Sequence, residues 1–428
     1  MQFTQFMSDK YKRRVTLGSL TVEEPCYGTS ATAVERINEQ QPKYIRITDF
    51  GDFGIEPNHK FMTVESYREK HLLQNDDILF ARTGATVGKT FYCDDSLGIA
   101  VFAGYCIRFR FDKNKVLPKF IYWYTKTNIY LNWVKGTQRP SGQPNINKEE
   151  YKSLEIILPN MDRQVLLASK MDDAFEIYKK NKDKAKKLFD GIDKYVLDKL
   201  GIQIPDFENR LTCAVRLSDI KADKTMSCDY YHPERMALIH MMKEADIFDS
   251  RCLDILVDFV RDIVSADENN QDYLGLAGVA SQTGELSGVS ENAMGQAFKF
   301  KKGDILYARL RPYLNKVLLA ETDGICSTEF HVMRIKNGVK ILPEYLAAMM
   351  RSLIILSQTR HMMTGNTHPR ISNDDVKKLI IPIPDIEIQK MISEEITRRK
   401  LEARRIKTEA ELEWQTVKVQ FEKELLGE

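Results

Sequence analysis

A chain of 428 residues with 43% hydrophobic content has room for two or three domains with buried cores. Its 63 basic and 61 acidic residues leave a net charge of +2, so any nucleic-acid surface has to come from local patches, not from overall charge. Seven cysteines without a Cys-x-x-Cys pair support neither a zinc ribbon nor a disulfide framework, and their expected state is reduced.

The first fourteen residues alternate polar and charged side chains, and no apolar run approaches ~18 residues. Neither a secretory signal nor a membrane span is expected, and the expected compartment is the cytoplasm. Residues 43–49 alternate apolar with polar and read as a half-buried strand, with Gly51 and Gly54 as turn signals. Strands are predicted at 98–102 and 105–111. The proline-opened, aromatic-rich stretch 118–134 predicts a helix packed on a sheet. Residues 136–147 turn to Gly, Thr, Gln, Arg, Pro, Ser and Asn, an exposed loop whose donors and acceptors suit the reading of base edges.

From Asp162 the period changes. Met171, Phe175, Tyr178, Ala185, Phe189, Ile192 and Val196 share one stripe, interrupted by Lys182, and predict a long helix with an apolar seam. Gly191 costs that helix ~1 kcal/mol and predicts a kink, and Gly201 with Pro205 should stop it. A second domain begins near Leu211, with turn and strand material at 229–233 and 271–289. The chain closes on another helix, with Ile392, Ile396, Ala403, Ile406, Ala410, Val417 and Phe421 on one stripe, the natural partner of the first.

The two halves repeat. Asp77-Ile-Leu-Phe-Ala-Arg-Thr-Gly-Ala-Thr-Val-Gly-Lys89 returns in degenerate form from Asp304 to Lys316, where Ile305, Leu306, Tyr307, Ala308 and Arg309 restate Ile78 to Arg82. The apolar run predicts a buried strand, with the arginine where it emerges. Leu154, Ile156, Leu158, Pro159 and Gln164 are matched by Leu379, Ile381, Ile383, Pro384 and Gln389, each set ahead of a long helix. A period near 225 residues is a whole domain.

Catalytic readings fare poorly. Gly84 to Thr90 imitates a phosphate-binding loop but has three residues between its glycines where four are needed, and the second copy replaces the glycines with Arg311, Pro312 and Asn315. A basic loop facing DNA fits better, beside the alternative of a purely structural turn. Pro205-Asp206 with Asp219-Ile220-Lys221 resembles a nuclease magnesium site but has no counterpart in the other half. The histidines show no metal spacing, and no methyltransferase motif is present. Basic runs at 179–187 and 398–407 read either as solvated helix faces or as a track for DNA phosphates.

Together the Asp-Ile-Leu-Phe-Ala-Arg stretch, its relic, and the paired Leu-x-Ile-x-(Ile/Leu)-Pro closures make the chain resemble the specificity subunit of type I restriction-modification systems. The resemblance implies an α+β protein with two similar target-recognition domains, at 1–160 and 205–386. The expected linking helices are 161–204 and 387–428, antiparallel in a coiled coil that makes a pseudo-twofold repeat. The helices would act as a ruler roughly 60 Å long. It implies a non-catalytic reader of bipartite double-stranded DNA that docks two methyltransferase subunits and, through them, restriction subunits. It binds no membrane, metal or cofactor itself, with S-adenosylmethionine, ATP and Mg on its partners. A type IIB-like system, in which one partner chain holds both activities, is the alternative; a P-loop nucleotide enzyme is a distant one. Carried over by position, Arg82, Thr83, Lys89, Arg309, Arg311 and Lys316 approach DNA. So do Arg139, Ser141, Gln143, Asn145, Asn366, Thr367, His368 and Arg370. Arginine suits guanine, and asparagine or glutamine suits adenine.

Overall fold

The computed structural model describes residues 13–51, 54–55, 59–138, 144–203, 214–223, 225–245, 248–266, 273–293, 295–365 and 367–427. The chain divides into two compact units, Met1–Lys182 with Lys407–Glu428, and Asp183–Ile406.

In the first unit the strands are β1 (Arg13–Thr16), β2 (Cys26–Tyr27), β3 (Ala33–Glu35), β4 (Lys43–Ile45), β5 (Met62–Val64), β6 (Ile78–Ala81), β7 (Thr90–Tyr92), β8 (Ala100–Phe102), β9 (Cys106–Phe109) and β10 (Glu155–Leu158). Sheet β2-β9-β6-β7 faces sheet β3-β5-β4-β8 across a shared core, and β1 pairs antiparallel with β10. The reason lies in β6. All four of its side chains are fully buried, because Ile78 and Phe80 point into the aromatic helix-side core while Leu79 and Ala81 point at the second sheet. A strand with two dry faces reads as an unbroken apolar run.

The stretch 118–134 forms two helices, α1 (Pro118–Tyr124) and α2 (Asn128–Thr137), where one was predicted. Thr127 makes the break. Its hydroxyl donates to the Tyr124 carbonyl at 2.7 Å and its side chain caps α2 by accepting from Tyr130 N–H at 3.3 Å. The strand predicted over 43–49 ends at Ile45, because the Asp49 carboxylate accepts from Arg46 N–H at 2.8 Å and turns the chain. Helix α3 (Lys148–Lys152) is N-capped by Asn147 and leads into β10 and then α4 (Met161–Leu200).

In the second unit α5 (Leu217–Asp223) and α6 (Pro233–Glu244) precede β11 (Asp249–Cys252), the single turn α7 (Leu253–Leu256), β12 (Val257–Val260), β13 (Ile263–Ala266), β14 (Tyr273–Leu274), β15 (Gly295–Phe300), β16 (Ile305–Ala308), β17 (Val317–Leu319), β18 (Gly324–Ser327) and β19 (Phe330–Ile335). Helices α8 (Pro343–Arg351), α9 (Leu353–Thr359) and α10 (Asn373–Lys377), strand β20 (Ile380–Ile383) and helix α11 (Ile386–Leu426) follow. The repeat is complete in three respects. Sheet β12-β19-β16-β17 repeats β2-β9-β6-β7, β11 with β20 repeats β1 with β10, and β16 repeats the two-faced burial of β6. The remaining sheet differs in order, β13-β15-β18-β14, with β15 paired to β18, whereas in the first unit β4 intervenes between β5 and β8.

Each long helix contributes to both units. In the first unit Met171, Phe175 and Tyr178 of α4 pack with Trp414, Val417 and Phe421 of α11 in the aromatic core. In the second, Phe189 lies against Ala185, Ala403 and Ile406, while Ile192 packs on the core holding Ile392 and Ile396. Helix α4 runs unbroken through Gly191. An added Cβ there would come within 3.0 Å of the Arg399 guanidinium, which donates to the Gly191 carbonyl at 2.6 Å, so the glycine makes room for a cross-helix contact.

Candidate nucleic-acid interface

The loops that leave β6 and β16 are built alike. Arg82 C=O accepts from Ile146 N–H at 2.9 Å and Gly84 N–H donates to Pro144 C=O at 3.0 Å, so the loop after the strand is zipped to the segment ahead of α3. Arg309 C=O accepts from Ile371 N–H at 3.1 Å and Arg311 N–H donates to Pro369 C=O at 2.7 Å, the same zipper one repeat later. Gly84 and Gly88 adopt φ of +73° and +84°; Arg311 and Asn315, which stand in their places, adopt +50° and +53°. The second loop therefore keeps the left-handed turns without glycine. Asn315 tolerates this well and its side chain donates to Arg351 C=O at 2.6 Å. Gly88 has no such latitude, because a Cβ would sit 2.6 Å from Val134.

From this frame Arg82 lies with its guanidinium 4.8 Å from the centre of the Tyr27 ring, and Thr83 is buried opposite Asn145. Lys89 is exposed. Tyr151 and Tyr130 hold the loop from beneath, donating to Ala81 C=O at 2.8 Å and Gly88 C=O at 2.9 Å. In the second unit Arg309 occupies the strand exit, Lys316 donates to Leu276 C=O at 2.7 Å, and Arg370 grips Glu329 through Nε and Nη2. Thr367 and His368 are exposed at the tip of a loop closed by reciprocal 2.9 Å backbone bonds between Thr364 and Arg370. Arg139, Ser141, Gln143 and Asn366 lie outside the described residues.

Three arginines of these loops, Arg82, Arg309 and Arg311, carry a buried Nε with no hydrogen-bond partner among the described residues. A buried donor left unpaired is costly, and three at matching places in two loops describe surfaces made to meet an acceptor.

The phosphate-loop imitation ends in a hairpin. Residues 84–86 make one 3-10 turn and the chain enters β7, antiparallel to β6, so the helix N-terminus that a nucleotide phosphate would need is absent there. Within the basic run at 398–407, Arg398 and Arg399 are paired with Glu395, Arg404 with Glu285 and Arg405 with Glu402. Lys221 falls on α5, and its nominal partners Pro205 and Asp206 lie outside the described residues. One histidine cluster emerges across 129 positions: the His232 and His361 rings stack at 3.8 Å beside Glu234, whose carboxylate also has Arg360 at 3.5 Å.

Sequence reading passed over a second set of residues at the strand exits. Tyr27 stands opposite Ile107 in β9, and one step beyond the Val260–Val332 pair Arg261 comes to the same place relative to His331 of β19. Ile107 and His331 themselves are equivalent, opposite Phe80 and Tyr307. His331 is 3% exposed, and burial, followed by the Arg309 charge, pushes its pKa down to about 4 against weaker opposite pulls from Asn373 and the Ile371 carbonyl. No local motif announces such residues; strand pairing between distant segments assembles them.

Residues 35–188 and 264–412, well over half of the chain, match the family described as Type I restriction modification DNA specificity domain. The EcoDI specificity subunit of Escherichia coli is 24% identical over 301 residues, 66% of this chain and 62% of that one. The HindI specificity subunit of Haemophilus influenzae is 36% identical over 123 residues, 26% of each chain. The chain thus spans about three-fifths or less of the length of these relatives in alignment. A chain solved in work on complex assembly and conformational transition of the type I R-M system superposes with a TM-score of 0.51 at 11% identity, covering 98% of both chains, and shares the fold. No described helix is long and apolar enough to cross a membrane. With the family spread over both halves and the loop zipper repeated in each, the chain belongs to the type I restriction modification DNA specificity family.

Proposed function

We propose that this chain is the sequence-reading subunit of a type I restriction-modification complex, each unit contacting one half of a bipartite double-stranded DNA target. The observation that carries the reading is the repeated strand-exit arginine, Arg82 and Arg309, each with a buried Nε that lacks an acceptor. A guanidinium that is positioned but not satisfied suits a guanine edge or a phosphate, and bidentate base contacts discriminate by ~1–3 kcal/mol. Thr83, Lys89, Asn145, Arg311, Lys316, Thr367, His368 and Arg370 surround the two arginines as further candidates. In this reading methyl transfer and cleavage belong to two methyltransferase subunits and the restriction subunits recruited through them, in the cytoplasm. S-adenosylmethionine, ATP and Mg are bound by those partners.

The test is a map of methylated bases in cells carrying the protein with its partners. Two short, unrelated half-sites separated by an unspecific spacer are expected. Arg82→Ala should relax one half-site and Arg309→Ala the other. A single uninterrupted palindrome, or relaxation of both half-sites by either substitution, refutes the reading.

A further inference from the structure

The two units differ most in chemistry at one equivalent place. In the first, Tyr27 underlies Arg82, its hydroxyl accepts from Lys148 N–H at 3.2 Å, and the neighbouring β9 position is the fully buried Ile107. In the second, an open cavity of about 520 Å³ is lined by Phe259, Arg261, Arg309, Asn373, Asp374 and Lys377. Its floor narrows to a space of about 10 Å³ bordered by His331, room for one oxygen atom.

The lining is arranged to donate. With its amide nitrogen facing His331, Asn373 donates to Nδ1 at 2.6 Å and its oxygen accepts from the Arg261 guanidinium, 3.3 Å from Nε. A neutral imidazole that accepts at Nδ1 carries its proton on Nε2. That Nε2, in a side chain 97% buried (3% exposed), has no hydrogen-bond partner among the described residues, and neither does Arg309 Nε. Arg261 and Lys377 add two cations at the mouth. The one carboxylate in that lining, Asp374, is 87% exposed and lies 3.7 Å from Lys377. Three cations against one acid, with two buried donors at the floor, select an acceptor-only anion.

We infer that this cavity is a phosphate seat, present in the second unit and closed by Tyr27 and Ile107 in the first, that takes a backbone phosphate of the bound DNA. The inference rests on the DNA-reading function proposed above. A phosphodiester has acceptor oxygens and no donor, so one oxygen fits the floor while the other meets Arg261 and Lys377. A base edge would use a single arginine and leave the remaining cations idle. By anchoring the backbone beside Arg309, the seat fixes the register in which the second unit meets its half-site.

The test compares full-length protein with the double variant R261Q/K377Q on two duplexes, target and scrambled, over a range of salt. Both substitutions replace side chains at the cavity mouth, and circular dichroism with thermal melting checks that the fold is kept. Lys243→Ala, an exposed lysine on α6, serves as the charge control. The expected result is a loss of roughly tenfold in affinity that is equal on both duplexes, a slope of log affinity against log salt shallower by ~1.8, and no change for Lys243→Ala. Unchanged DNA affinity in the double variant overturns the inference while leaving the DNA-reading function standing. Relaxed preference at one base position with unaltered binding to the scrambled duplex overturns it in favour of a base-reading pocket. A parallel titration with inorganic phosphate, followed by ³¹P NMR, separates the two phosphate sources: binding lost in the double variant while DNA binding persists would assign the seat to free phosphate. Failure of the wild-type chain to bind either duplex overturns both the inference and the function beneath it.

Discussion

The Asp77 carboxylate is fully buried and takes two hydrogen bonds from the Arg110 guanidinium, Nε to Oδ1 and Nη2 to Oδ2, both at 2.8 Å. One repeat later Arg334 grips Asp304 in the same way, at 2.7 and 2.6 Å. Each aspartate also accepts a backbone N–H of the turn before it, Gln74 or Lys301, both at 2.8 Å, and so ties the start of the central strand to its neighbour. Removing the arginine strands a buried charge. Arg110→Ala should cost about 3 kcal/mol in urea unfolding. Arg334→Ala should cost about 1–2 kcal/mol, because its side chain is 39% exposed against 21% for Arg110. Equal costs would show that exposure does not set the difference.

The repeated glutamine ahead of each long helix is a brace. Gln164 accepts from Leu117 N–H at 2.8 Å and donates to Pro159 C=O at 2.9 Å; Gln389 does the same for Leu342 at 3.0 Å and Pro384 at 2.9 Å. Both side chains are 1% exposed. Gln164→Leu or Gln389→Leu leaves a backbone donor and a carbonyl unpaired in the interior, and each should lower stability by about 2–3 kcal/mol. Gln→Glu keeps the acceptor and should not restore stability at neutral pH, since the lost donor faces a carbonyl. Chemical denaturation at pH 7.5 measures both.

Trp414 joins α11 to the first unit, with ring centres 5.7 Å from Trp123, 5.9 Å from Phe175 and 5.9 Å from Tyr178. Trp414→Ala should cost about 3–5 kcal/mol and remove part of the blue-shifted tryptophan fluorescence, whereas Leu412→Ala, on a residue 68% exposed, should be near neutral. A mild effect of Trp414→Ala in equilibrium unfolding would contradict the packing.

His331 makes the second unit sensitive to acid. Its folded pKa is depressed, to about 4, below an unfolded value near ~6.5. Its stabilising contribution is therefore complete above pH ~6.5 and is lost as pH falls through that value toward 4, by up to ~3 kcal/mol. His331→Ile, which installs the residue of the first unit, should flatten the fall of unfolding free energy between pH 7 and pH 4.5. An unaltered pH profile would exclude His331 as its source.

Much of the fold was legible in the sequence because β6 and β16 are dry on both faces, and dry strands leave an unbroken apolar signature. The stripes of α4 and α11 were legible for the matching reason, one wet and one dry face at helical period. Trp414 sits on that stripe, at four residues from Ala410 and three from Val417, and period counting alone would have found it. Other features had no local signal. Arg311 and Asn315 hold left-handed turns without the glycine that usually marks them, so the second loop looked degraded where its backbone is intact. The break at Thr127 comes from one side-chain cap inside an apolar stretch. Arg261, His331 and Asn373 span 113 positions and meet through antiparallel pairing, which single-segment patterns do not encode. The interchange of neighbours in the β13-β15-β18-β14 sheet likewise depends on which edge a loop can reach.

The ladders of β1 on β10 and β11 on β20 have a consequence for how such chains change over time. Arg13 lies opposite Leu158, and Asp249 opposite Ile383, so in each case the polypeptide enters and leaves the intervening globule at adjacent points. A segment with neighbouring ends can be lifted out and replaced by another of the same outline without disturbing what flanks it. Genetic exchange at the two ends of such a segment delivers a complete cassette, sheet ladder included, and can give a host a new target without redesigning the helices that carry it.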